Sequence, residues 1–498
     1  MKKLFILLII VFAGIFSANA QWTLDSLSAP AFNLVPQQVG TKAIFASNAK
    51  YEIYDFTTGL WSSKTFLPAR TGIKAVANGG KAYFAGGGFI TVWNQVMYKN
   101  IDIYNSATNV WSTANLSQAR SVGATAAVGN KVLFAGGRQV LAYSNRVDIF
   151  DVNTGVRTTT ALSQARNNMA VAIIGSKVIF AGGESGSIVN GVYSASNKVD
   201  IYDDATGLWS TALLSSKREL ITVGVVGTKV LFAGGRNPNG VYQKSVDIYD
   251  AATNIWSVVN MSQPKYGMAS ATVGNKVYFA GGTTANSGAL TNRVEVYDAS
   301  TNTWSFITIS SPRMNMTVAQ TPQRVMFAGG TVVWGNTGTD RVEVLDIASG
   351  TWSVEYLAQP RFGIAAISYG NKALFAGGAE VWSSYPQYSI YSNKVDIWTD
   401  LPPRLNGEEM QQSSAGRLNV YPNPSAESTV NVYFIQNETK PVTIRLVDLT
   451  GRVITEMQTN GENEIKHVVD ISGLAAGTYI VSAEADDYRE TVKLMVIR

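Results

Sequence analysis

Apolar residues along this chain come in short blocks, and one block keeps returning. Lys131-Val132-Leu133-Phe134-Ala135-Gly136-Gly137 is an apolar run closed by a glycine pair, and the pattern recurs at residues 81–87, 177–183, 229–235, 276–282, 324–330 and 372–378. A decayed copy, Lys42-Ala43-Ile44-Phe45-Ala46-Ser47, precedes them. From Phe84 onward the phenylalanines fall at 84, 134, 180, 232, 279, 327 and 375, in steps of 46 to 52 residues. A unit of that length cannot bury its apolar face alone and must stack on copies of itself.

Each unit reads as four strands, a to d. In the copy at 119–160, strand a is the small-residue segment 121–128, and Gly129-Asn130 is a two-residue turn of the kind that needs positive φ. Strand b is the Phe-Ala-Gly-Gly block, and a variable loop follows it. Strand c is Val147-Asp148-Ile149-Phe150-Asp151, matched at 199–203, 246–250, 294–298 and 342–346. After a turn such as Asp250-Ala251-Ala252-Thr253-Asn254 comes strand d with a tryptophan: Trp61, Trp111, Trp209, Trp256, Trp304 and Trp352. Alternation and β-branched content mark all four as strands, and no helical period is present. Four-stranded antiparallel units at this period predict an all-β fold, a β-propeller.

The two ends of the repeat region complement each other. The last strand c, Val395 to Trp398, has no tryptophan strand after it, whereas Gln21-Trp22-Thr23-Leu24-Asp25-Ser26-Leu27 matches strand d at 111–117. Residues 22–27 are therefore expected to complete the last sheet. Eight phenylalanine strands predict eight blades, the first (33–67) short because its b–c loop is nearly absent; seven is the count if the decayed copy forms no blade.

The glycine pair, the later Tyr-Asp and the tryptophan, in this order over residues 21–398, resemble the kelch repeat. That resemblance implies a kelch-type propeller for residues 21–400.

Composition narrows the setting. The chain of 498 residues has 15% charged residues, 45 glycines and a net charge of +5 without a dense basic run, so nucleic acid is not expected as a partner. The absence of cysteine excludes disulfides and thiolate metal sites. The one histidine, His467, lies outside the repeats. Lys2-Lys3, an apolar segment from Leu4 to Phe16 and Ser17-Ala18-Asn19-Ala20 read as a signal peptide of residues 1–20, so the mature chain begins at Gln21 outside the cytoplasm. No later stretch has the ~20 apolar residues of a membrane helix.

The recurring residues have competing uses. The glycine pair is either a close approach of backbone near the axis or a phosphate cradle; the second needs a following helix, and none is present. Trp and Tyr pack between blades, and the aspartates after the tyrosines cap the c–d turns. The Asp-x-x-Thr-x-x-Trp pattern also resembles the Asp-box of sialidases, itself a fold-stabilising turn. A basic residue stands at the d–a turn in Arg70, Arg120, Arg166, Arg218, Lys265, Arg313 and Arg361. In a meander the d–a and b–c turns share one face. These cations either tie their turns to neighbouring groups or form a ring that attracts anions. The b–c loops on that face vary and carry aromatics: Trp93, Tyr98, Tyr143, Tyr193, Tyr242, Trp334, Trp382 and Tyr385, with Tyr388 and Tyr391 beside the last two. Flat rings among Asn, Ser and Arg suit sugars or extended peptides, or pack their own loops.

Residues 401–417 read as a linker. Beyond them short alternating strands at 430–435, 442–448, 452–458, 465–469, 477–484 and 490–497 predict a small β-sandwich. Tyr421-Pro422-Asn423-Pro424, Asp448-Leu449-Thr450-Gly451-Arg452, Gly477-Thr478-Tyr479 and the closing Lys493-Leu494-Met495-Val496-Ile497-Arg498 resemble the C-terminal sorting domain of the type IX secretion pathway. The resemblance implies export by that machinery through residues 418–498, to the medium or the cell surface.

Kelch-type copper oxidases need histidine ligands and a Cys–Tyr link, and the repeats hold neither Cys nor His. No cofactor or metal is expected. The functional expectation is a monomeric, secreted propeller that binds an extracellular glycan or protein through its loop face. The alternative is metal-free sugar chemistry, as in sialic acid mutarotases or sialidases, with Glu184 or Glu380 as acid or base.

Overall fold

The computed structural model describes residues 21–90, 95–187, 192–284, 288–333, 337–381 and 389–400, and 417–496 apart from 422, 424, 426–427, 436–440, 449–451, 460–463 and 486–487. Residues 1–20, read from the sequence as a signal peptide, and most of the segment read as a linker lie outside the described residues. The chain divides into two compact units, Met1–Pro403 and Arg404–Arg498.

In the first unit, the described strands pair into seven four-stranded antiparallel sheets and one seven-stranded sheet, in which Thr317–Gln320, Arg324–Ala328, Thr337–Asp346 and Trp352–Arg361 repeat the four-stranded order; the eight are numbered here in chain order from the decayed copy. That copy makes sheet 1: Val35–Val39, Lys42–Ala46, Lys50–Asp55 and Trp61–Thr65. Sheet 3 is Ala124–Val128, Lys131–Arg138, Tyr143–Asp151 and Arg157–Ala161. Sheet 8 is Ala365–Tyr369, Lys372–Ala376 and Lys394–Thr399, with Gln21–Ser26 as its strand d. The N-terminal strand runs in register Trp22↔Trp398 to Ser26↔Lys394. The Leu27 N–H then donates to Asn393 O at 2.7 Å, as Leu116 does to Lys99 and Leu162 to Asn145. A segment from the other end of the unit thus reproduces the strand-d geometry of the internal repeats.

The strand-b runs are apolar on both faces because both faces are covered. Leu133 packs toward sheet 4 with Val178, Phe180 and Tyr202, while Phe134 packs toward sheet 2 with Tyr83, Ile101 and Leu116. One such cluster fills every junction between successive sheets. Another joins sheet 8 to sheet 1, with Ile367 and Leu374 against Phe45 and Tyr54. The strands a also pack neighbour to neighbour, that of sheet 8 against that of sheet 1, so side-chain packing runs unbroken around the unit. Small hydroxyls rivet these inner strands: Thr125 Oγ1 donates to Ala75 O and Thr272 Oγ1 to Val225 O, each at 2.9 Å. The tryptophans lie against their own sheet's phenylalanine and tyrosine, as Trp209 does with Phe180 at 6.2 Å and Tyr202 at 5.2 Å.

The c–d turns follow the capping expectation. Asp151 Oδ1 accepts from Asn153 and Thr154 N–H, both at 2.9 Å, and Asp298 Oδ1 from Ser300 N–H at 2.9 Å. These bonds, that from Thr154 foremost, hold the Asp151 carboxyl below the usual carboxylate range.

The glycine pair makes a close approach, but to a neighbouring turn and not to the axis. Gly136 and Gly137 have φ of 58° and 118°, and Gly137 N–H donates to Arg166 O, in the turn that enters sheet 4, at 2.7 Å. A Cβ on Gly136 would stand 2.5 Å from Arg166 O, and one on Gly137 2.0 Å from Ser121 O. A phosphate is left without this N–H to bind. Gly137→Ala is expected to cost about 2–3 kcal/mol from the torsion and the clash together. Gly175→Ala, at φ 57° with nothing within 4 Å, should cost about 1 kcal/mol. Urea unfolding of both variants measures the difference, and equal losses would contradict it.

The second unit is a two-sheet sandwich. Arg417–Tyr421, Thr429–Ile435 and Glu464–Asp470 face Val453–Gln458, Thr443–Asp448, Gly477–Ala485 and Tyr488–Val496 across a core with Val430, Phe434, Ile444, Val481 and Leu494. Its first strand begins at Arg417, inside the segment read as linker. His467 is exposed.

Candidate ligand-binding face

The d–a turns correct one reading from the sequence. Arg120, Arg166, Arg218, Arg313 and Arg361 are 0% exposed and Arg70 1%, so they form no anion-attracting ring. Each meets an acid in the middle of strand c: Arg70–Asp102, Arg120–Asp148 at 2.8 Å, Arg166–Asp200, Arg218–Asp247, Lys265–Glu295 at 3.3 Å, Arg313–Glu343 at 3.3 Å and Arg361–Asp396. The guanidiniums also donate to the first glycine of their own sheet, Arg120 Nε to Gly136 O at 2.9 Å and Arg361 Nη1 to Gly377 O at 2.8 Å. The acid's second oxygen takes the N–H that starts the turn, as Asp200 does from Ser163 and Asp148 from Ser117, both at 2.8 Å. Burial pulls the guanidiniums of Arg120, Arg166, Arg218, Arg313 and Arg361 down from their ordinary range. Arginine's intrinsic basicity nevertheless keeps them charged. The basic residue therefore bolts each inter-sheet turn to the next sheet. Sheet 1 departs from the rule: Ala31 holds the basic place, and Glu52 is served by Ser28 Oγ and by Lys50 Nζ at 3.3 Å.

Of the loop aromatics, Trp93, Trp334, Trp382 and Tyr385 lie outside the described residues, as does the Tyr193 side chain. Tyr98 and Tyr143 are half-buried. Tyr98 acts through its backbone, its N–H donating to Gly87 O at 2.9 Å and its C=O accepting from Arg120 N–H at 3.2 Å. Tyr242 is 9% exposed and edge-on to Tyr266 at 4.8 Å, so it packs against the d–a turn that enters sheet 6. Several b–c loops are short hairpins, Gly88–Ile90 with Gln95–Met97 and Glu184–Ser187 with Val192–Ala195.

Sheet 1 has no such hairpin. Its b–c connection is only Ser47-Asn48-Ala49, and a cleft of about 670 Å³ opens above it. One border is aromatic: Phe32 and Tyr391 stack with centroids 5.6 Å apart and planes 6° apart, and Phe32 meets Phe362 edge-on at 5.7 Å. Gly363 leaves room for Phe32, since a Cβ there would stand 2.3 Å from the ring. Asn33, Asn48, Thr71, Ser121 and Asn168 supply amides and hydroxyls, and Lys74 supplies a charge. Burial lowers the Lys74 ammonium from its ordinary value, partly offset by Glu184. Glu184 accepts from Asn167 and Asn168 Nδ2 at 2.9 and 2.8 Å, and the buried Glu219 pairs with Arg236 at 2.6 Å. The Tyr143 hydroxyl is raised by burial first and then by Glu184, with smaller effects of Arg138 and Glu219. Glu380 is half-buried in Ala379–Val381, the b–c connection that follows strand b of sheet 8, and acts on Arg361.

Reading from sequence missed Phe32, Lys74, Asn168 and Glu219, and it missed the acid row of strand c. The acid row carried a signal: one carboxylate inside an otherwise apolar strand demands a buried partner. The cleft carried one too, in the shortness of the first b–c loop.

The family model of the KLHDC2/KLHL20/DRC7 kelch-repeats domain matches residues 168–378 and, in a second placement, 220–422. Together the placements span just over half of the chain. The model of the secretion system C-terminal sorting domain matches residues 419–498. No curated protein matches the chain. Among solved structures, the one titled "Structure of YjhT" is similar at 17% identity and a TM-score of 0.39, covering 54% of this chain and 92% of that one; a score that low carries no argument here.

Proposed function

The chain belongs to the kelch-repeat family and ends in a type IX secretion sorting domain, and from that premise we propose that it is an exported propeller whose loop face binds an extracellular glycan. The observation that carries this reading is the asymmetry of that face. Seven sheets raise b–c loops, one does not, and the notch so formed has stacked rings on one border and amide and hydroxyl groups on another. Sugars present this same mixture, an apolar ring face and a hydroxyl rim.

A glycan array probed with the mature chain tests it. Tyr391→Ala and Phe32→Ala should each weaken binding roughly tenfold, the loss of one aromatic contact of about 1 kcal/mol or slightly more. Trp93→Ala, Trp334→Ala and Trp382→Ala ask whether the neighbouring loops extend the site. Binding untouched by all five changes would place the ligand elsewhere.

A second reading, metal-free chemistry on a sugar of the mutarotase or sialidase kind, draws on the half-buried Tyr143, on which Glu184, Arg138 and Glu219 all act electrostatically. Turnover of a sialic acid that disappears in Glu184→Gln would favour it, and its absence in the unaltered chain would reject it.

A further inference from the structure

The first residue of every strand a pairs with the alanine before the glycine pair, or with Ala46 in sheet 1. Across the eight sheets that place holds alanine, threonine or valine, except in sheet 2, where it holds Lys74. Lys74 borders the cleft and is half-buried. Among the described residues it makes no hydrogen bond or ion pair, and the acid that acts on it, Glu184, comes from another sheet with its oxygens already bonded to Asn167 and Asn168. Each buried cation of the d–a turns, by contrast, has a dedicated acid. A partly desolvated, unpaired ammonium is a net cost to the fold, so its place is explained by a group that arrives from outside.

We propose that the cleft above sheet 1 binds an acidic polysaccharide, with Lys74 taking the carboxylate or sulfate ester of one sugar and the Phe32–Tyr391 pair carrying the apolar face of a ring. This rests on the glycan reading above and adds the ligand's charge. The two ends of the site do different work: the aromatic border holds any ring of suitable shape, and Lys74 separates acidic rings from neutral ones. The cleft volume falls within the range of small-ligand sites.

The test is affinity electrophoresis of the mature chain through gels containing polygalacturonate, a carrageenan or a neutral mixed-linkage glucan. Retardation by at least one acidic polymer above the neutral one is expected. Which acidic polymer acts tells a carboxylate site from a sulfate site, and either supports the proposal. Lys74→Met should weaken acidic-polymer binding about tenfold with a melting temperature equal to or above that of the unaltered chain. Lys74→Arg should keep most of the preference. Lys276→Met, the same charge loss at an exposed a–b turn, should change nothing. An acidic preference that survives in Lys74→Met, or a melting temperature that falls with the affinity, overturns the proposal. Retardation by the neutral glucan alone overturns it and leaves the glycan reading standing; no binding to any polymer or array glycan overturns both.

Discussion

An Asp200→Ala variant is expected to lose about 3–5 kcal/mol of stability, because it strands the Arg166 charge in the interior. Asp200 and Arg166 side chains are 4% and 0% exposed. The substitution also orphans Ser163 N–H, which now donates to Asp200 Oδ1. Removing both charges should be milder: Arg166→Met with Asp200→Leu should recover most of the loss, since packed apolar groups often replace a buried pair at little cost. Urea midpoints at constant slope measure both. A loss below about 1 kcal/mol in the single variant, the range of exposed pairs, would mean that this pair does not bolt the turn.

The second large effect belongs to the leading strand. A chain that begins at residue 29 lacks strand d of sheet 8, and with it the Trp22 contacts to Trp398 at 5.0 Å and Phe375 at 5.8 Å. It also lacks Ser28, which bonds Glu52, and Leu27, which lies in the cluster joining sheets 8 and 1. The expected loss is comparable to the whole stability of a domain, about 5–15 kcal/mol. The bared edge of Lys394–Thr399 is an invitation to pairing between chains, so the truncated protein should aggregate during size-exclusion chromatography. A truncated chain that elutes as a monomer and unfolds with unchanged midpoint would show the strand to be dispensable.

Repetition made much of this fold readable. A strand that recurs aligns the chain with itself, so Phe134, Trp209 and the a–b glycines could be assigned by analogy with their own copies. The closing role of residues 21–26 was readable for the same reason, since Trp22 stands where Trp111 stands. What stayed hidden was direction. The d–a arginines were correctly placed on a turn of the loop face, but their side chains point inward, and sequence spacing cannot tell an arginine that meets solvent from one that meets Asp148. One position held a clue: the arginine is missing as Ala31 in the copy where Glu52 has Lys50 nearby. The cleft was harder to foresee because it is built by an omission, a short loop in sheet 1, and bordered by Phe32 and Lys74, which no motif contains. The aromatic loops drew attention for their composition, yet Tyr242 is committed to Tyr266.

The central claim is that the last sheet of the unit is completed by its leading strand, and hydrogen exchange of a chain spanning residues 21–498 tests it most directly. Amides of residues 22–26 should exchange as slowly as those of their partners in Lys394–Thr399 and of the strands b, through global unfolding alone. Exchange of residues 22–26 at the rate of a free terminus, while Lys394–Thr399 stays protected, would contradict the account.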